Sequence, residues 1–141
     1  MIDFLPFQLM RKYPHMGPAD TVVWERFIRA NQTYFDKVAY DVKVGTGAEF
    51  DTVVNPETGG DAGGLYKKKI DVIGVKDGRN YIIEIKPRAD DRALGQVEGY
   101  VMLVRRDLPE ISDPRPMVIC ESMVPDTDFF ALQKGIEVVV V

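Results

Sequence analysis

Asp71, Glu84 and Lys86 are the residues of this chain whose types and spacing could do chemistry. They lie in or beside two apolar runs, 70–75 and 81–85, separated by Asp77-Gly78, one of the strongest signals for a two-residue hairpin loop. With that pair as the loop, Lys76 faces Arg79, Val75 faces Asn80, Ile73 faces Ile82, and Asp71 falls directly opposite Glu84. Opposed residues share a face with Cβ atoms about 4.5–5.5 Å apart, and like charges there repel unless something positive lies between them. A divalent cation is the simplest candidate. Lys86, two residues beyond Glu84, projects from the same face, while Ile83 and Ile85 point the other way into a core. A solvated salt-bridge ladder on an edge hairpin would use the same residue types. Against it stand Ile73 and Ile82 on the acids' own face and Pro87, which is expected to end the strand and leave Lys86 at its mouth.

A helix must follow at once. Asp90 or Asp91 can cap it, it runs to about residue 105, and its core stripe is Ala93, Val97, Tyr100, Val101 and Val104. Gln96 and Tyr100 are four residues apart and share a side of this helix. Asp71, a hairpin, Glu84-Ile85-Lys86 and then Gln96-Val97-Glu98-Gly99-Tyr100 together resemble the PD-(D/E)XK, or restriction-endonuclease-like, nuclease superfamily. The last five residues are similar to the QxxxY helix motif of its RecB-like branch, although Ile70 stands where the superfamily's proline would be.

The resemblance implies an α/β fold, a mixed sheet of about five strands flanked by helices. It also implies a Mg²⁺-dependent nuclease, with Mn²⁺ as a substitute, that hydrolyses phosphodiester bonds in nucleic acid, DNA before RNA. Asp71, Glu84 and the Ile85 carbonyl would bind the ion, and Lys86 would orient or deprotonate a water or steady charge on the phosphate. Gln96 would help to orient metal or backbone, and Tyr100 would contact nucleic acid. Members often bring a further acid from the first helix, and Glu25 is where this sequence offers one. The alternative is a domain that keeps this fold but serves as a nucleic-acid-binding or assembly subunit.

With 141 residues and 45% hydrophobic content the chain suits one compact domain. A net charge of −4 and a pI near 5.0 count against tight DNA binding by overall charge, which leaves local clusters to do it. Lys67, Lys68 and Lys69 precede Asp71, and Arg88 and Arg92 follow Lys86, as a phosphate-binding rim would require. No apolar run approaches the roughly 18–20 residues of a membrane span, and Pro6 interrupts the apolar stretch at 4–10, so a cytoplasmic protein is expected. Cys120 is the only cysteine, which rules out an internal disulfide. His15, the only histidine, has no cysteine or second histidine to share a metal with and is expected at the surface.

Taken in order, residues 1–19 read as an arm. A helix from Asp20 or Thr21 to about residue 32 carries the stripe Val23, Trp24, Phe27 and Ile28. Residues 34–44 alternate as a strand with Val38, Tyr40, Val42 and Val44 on one face. The stretch 45–66 holds six of the twelve glycines and is expected to form a mobile flap. A strand at 117–123, a helix at 126–134 and a strand at 136–141 complete the pattern. The closing valines imply cover from a neighbouring helix or from a second copy in a homodimer.

Overall fold

The computed structural model describes residues 2–46 and 68–141; the expected flap, apart from its first two residues, and Lys67 lie outside the described residues. In chain order the elements are α1 (Pro18–Ala30), β1 (Lys37–Val44), β2 (Lys68–Lys76), β3 (Arg79–Ala89), α2 (Asp91–Asp107), β4 (Pro114–Met123), α3 (Thr127–Lys134) and β5 (Glu137–Val140). The strands form one sheet in the order β1-β2-β3-β4-β5. The first three pair antiparallel, whereas β4 and β5 join in parallel after the crossovers through α2 and α3. This is the mixed five-stranded α/β architecture. No described helix is long and apolar enough to cross a membrane.

Asp77 and Gly78 take φ of 51° and 76°, the two left-handed conformations that a tight hairpin loop needs. The loop sets Lys76 opposite Arg79 and Ile73 opposite Ile82. Helix α1 buries Val23, Trp24, Phe27 and Ile28 against Val72, Ile83, Ile85 and Ile119 on one face of the sheet. Helix α2 buries Leu94, Val97, Val101 and Val104 against Ile73, Ile82 and Val118 on the other. The Asp90 carboxylate accepts from Ala93 N at 3.0 Å and starts α2.

Three expectations are corrected. Helix α1 begins at Pro18 rather than at Asp20 or Thr21, because proline lacks the N–H that the first helical position leaves unused. Asp20 therefore sits inside the first turn. Strand β1 does not keep Val38, Tyr40, Val42 and Val44 on one face: Val38 and Tyr40 pack on the α1 side, Val42 and Val44 on the α2 side. Alternation breaks at Asp41, whose φ is 53°. Pro87 does not end β3, which continues to Ala89. Pairing to β4 passes from Lys86↔Cys120 to Arg88↔Ser122 without it, and the last β2 partner of β3 is at Ile83, so Pro87 costs no bond on that side. Strand β5 pairs, among the described residues, only with β4, so its outer edge is open while Val138 and Val139 pack against the two cores.

Gly74 owes its place to a close approach. A Cβ there would lie 2.6 Å from the Phe35 ring in the α1-side core. Gly74→Ala is expected to cost about 1–3 kcal/mol, the range for an overpacked core, measured by urea unfolding. An unchanged midpoint would mean that Phe35 can step aside.

Candidate active site

The β2–β3 ladder follows the register read from the loop as far as Val72↔Ile83 and then opens. Asp71 and Glu84 are the next two residues, but they do not form a ladder pair. Instead Asp71 Oδ2 accepts the Ile85 N–H at 2.9 Å, so a carboxylate takes the bond that a strand carbonyl would otherwise hold. Past this fork β3 stays on β4, with Glu84 beside Val118 and Lys86 beside Cys120. Glu84 is 5% exposed, and its Oε2 is buried without a hydrogen-bond partner. A buried carboxyl oxygen with nothing to bond is costly, so the fork contains an acid that the protein leaves unsatisfied.

Burial is the main reason that both acids hold their protons more tightly than usual. Glu84 is pushed up to about 8, by burial and then by Asp71. Asp71 is raised to about 6 by burial and by Asp20 and Asp41, against the pull of the Ile85 N–H and Lys86. Lys86 is the cation that offsets Asp71, Glu84 and Asp20 alike.

Asp20, which the sequence reading passed over, is the α1 acid that acts on this pair. Burial raises its own pKa, and Lys86 opposes the rise. Glu25, expected in that role, is not among the charges acting on Asp71 or Glu84; it accepts the Tyr13 hydroxyl at 2.9 Å. The signal was present in the spacing. Asp20 stands three and four residues before Val23 and Trp24 and so continues their buried stripe, whereas Glu25 is about 100° round from Trp24.

On α2, the Gln96 amide donates to the Tyr100 hydroxyl at 2.7 Å. Gln96 is exposed and Tyr100 buried, its phenol raised by burial with Glu84 and Asp71 also acting on it. Lys68 shares with Gln96 and Tyr100 a cavity of about 160 Å³, while Lys69 lines a smaller one with Asp71. Arg88 and Arg92 are exposed at the end of β3 and the start of α2.

Among the described residues no three His, Cys, Asp or Glu gather into a ready-made metal cage. What the fork offers is two carboxylates, one with an unpartnered buried oxygen and the other held by the Ile85 N–H. An all-oxygen set of this size fits a hard cation that keeps several of its waters, such as Mg²⁺.

A mixed sheet forked over buried acids defines an α/β protein of endonuclease-like fold. The chain is similar in structure to a repair endonuclease from Pyrococcus abyssi, with a TM-score of 0.59 and 18% identity, covering 94% of this chain and 49% of that one. It is also similar to EndoMS in a complex with double-stranded DNA, with a TM-score of 0.52 and 13% identity over 94% of this chain and 48% of the other. The chain thus spans about half the length of these structures, and at such identities the likeness is one of fold. No family model and no curated protein matches the chain.

Proposed function

We propose that this chain is a restriction-endonuclease-like, metal-dependent nuclease domain that hydrolyses phosphodiester bonds, in DNA before RNA. The observation that carries the reading is the fork itself: Glu84 with an unpartnered buried oxygen, Asp71 pinned by the Ile85 N–H, and the charge of Lys86 acting on both. The fold likeness to two endonucleases, one bound to double-stranded DNA, supports it.

In this reading Asp71, Glu84 and the Ile85 carbonyl hold Mg²⁺ or Mn²⁺. When bound, the ion lowers the pKa of a water and polarises the scissile phosphate. The hydrogen bond from Ile85 N fixes the Asp71 carboxylate and leaves its second oxygen to point elsewhere. Lys86, whose charge acts on both carboxylates, would donate to the attacking water or to a phosphate oxygen as charge builds. Asp20 adds negative charge that acts on both carboxylates. Gln96, held by Tyr100, positions the nucleic-acid backbone, and the exposed Lys68, Lys69, Arg88 and Arg92 supply the phosphate contacts that net charge does not.

Nicking of supercoiled plasmid is the test. Cutting is expected with Mg²⁺ or Mn²⁺ and none with EDTA. Cutting that survives EDTA would overturn the metal role, and binding without cutting in either ion would leave a non-catalytic nucleic-acid-binding domain.

A further inference from the structure

His15 and Asp41 form a pair that the fork does not account for. In the β1–β2 ladder Tyr40 faces Val72 and Val42 faces Ile70, but the position between them, Asp41 against Asp71, is unpaired. Asp41 Oδ2 lies 3.2 Å from His15 Nε2, and Asp41 Oδ1 is buried with no hydrogen-bond partner. Both residues adopt φ of 53°, in the left-handed region. Such a conformation is unfavourable for a residue other than glycine, and an ion pair with one exposed member returns little. The pair alone does not repay its geometry. Strain of this kind concentrates where a side chain must be aimed.

What the pair is aimed at is visible in the cavity it lines. His15, Asp41, Lys69 and Asp71 surround a space of about 40 Å³, enough for a water molecule. The imidazole is 60% exposed although Asp41 holds one of its nitrogens. In the doubly protonated ring Nε2–H donates to Asp41, and Nδ1–H is left to donate outward. Lys69, exposed on β2, brings a second donor to the same opening. His15 reaches this opening through Asp41 of β1 and Lys69 lines it from β2, while Lys86 of β3 acts on Asp71.

We propose that His15, oriented by Asp41, and Lys69 form a second phosphate subsite that grips a backbone phosphate next to the one hydrolysed at the fork. The subsite rests on the nuclease reading above. His15 and Lys69 are positioning residues in it: they hold the strand so that the scissile phosphate reaches Asp71 and Glu84.

The test uses the full chain and a short fluorescently labelled DNA duplex in EDTA, with anisotropy followed across a salt series, and steady-state cutting in Mn²⁺ alongside. His15→Gln and Lys69→Gln are each expected to lower the slope of log affinity against log salt by about 1, the value for one lost phosphate contact. Their loss in cutting should fall mainly on KM. His15→Arg, which keeps an outward donor, should restore the slope. Asp41→Asn combined with His15→Gln should be no worse than His15→Gln alone, as for two residues acting through one contact. A parent that binds and cuts DNA beside a His15→Gln variant of equal slope and KM overturns the subsite and leaves the nuclease reading intact. Failure of His15→Arg to restore the slope overturns it as well, since the imidazole would then be structural. A parent that neither binds nor cuts removes both readings together.

Discussion

Lys86→Ala is expected to cut nucleic acid about 10²–10⁴-fold more slowly than the parent while still binding Mn²⁺, whereas Glu84→Ala loses both activities. The two residues are neighbours on one strand face, so the contrast comes from what each does for the fork. Glu84 supplies the buried oxygen that has no partner in the protein, and without it Asp71 remains with one of its oxygens already bound to Ile85 N. Too few oxygens are then left to hold a hard cation. Lys86 contributes no ligand. It offsets the charge of Asp20, Asp71 and Glu84, and its removal makes the fork more negative, so affinity for a divalent ion should hold or rise slightly. What is lost is the donor placed for water or phosphate. Nicking rates and Mn²⁺ calorimetry on the parent and both variants separate the roles. A Lys86→Ala protein that cuts like the parent removes the catalytic role of this lysine, and a Glu84→Ala protein that binds Mn²⁺ like the parent removes the metal from the fork.

Much of this site could be read from residues 70–86 because a two-residue loop fixes everything that follows it. Once Asp77 and Gly78 turn the chain, the register is set by counting, and it holds through Val72 opposite Ile83. Counting alone cannot show where a ladder stops. The strands part before Asp71 and Glu84 because the Asp71 side chain takes the Ile85 N–H, and a contact between side chain and neighbouring backbone leaves no trace in alternation. Asp41 was hidden for a related reason. A single left-handed residue moves Val42 and Val44 to the other face of the sheet, yet the sequence 38–44 still alternates as if the strand were regular. Asp20 could have been found, since Pro18 marks the first turn of α1 and places this acid on the buried stripe. Gln96 and Tyr100 were legible as a pair because four residues make one helical turn, and the pair is bonded at 2.7 Å. Among the described residues no strand pairs with the outer edge of β5, and the run of valines by itself does not say what does.

Without metal, the parent should be most stable at mildly acidic pH and lose stability toward pH 8. Asp71 and Glu84 are raised from 3.8 and 4.5 to about 6 and about 8, so the folded chain binds protons that the unfolded chain has released. Stability from a raised carboxyl is complete below its unfolded pKa and drains away as pH climbs through the folded one. Here that window runs from about 4 to about 8. The loss across it is on the order of a few kcal/mol, measured by urea unfolding in EDTA at pH 5 and pH 8. Asp107, whose pKa is lowered by Arg106, has its opposite contribution below its usual value of 3.8 and does not mask the trend. Glu84→Gln keeps the volume and removes the charge, so at pH 8 in EDTA the variant should be more stable than the parent, with the gap closing at pH 5. Mn²⁺ should close the same gap from the other side, because an ion bound only by the folded parent stabilises it by mass action. A Glu84→Gln protein less stable than the parent at pH 8 in EDTA would mean that the Glu84 charge is already satisfied inside the protein, and the reason for placing a cation between these carboxylates would be gone.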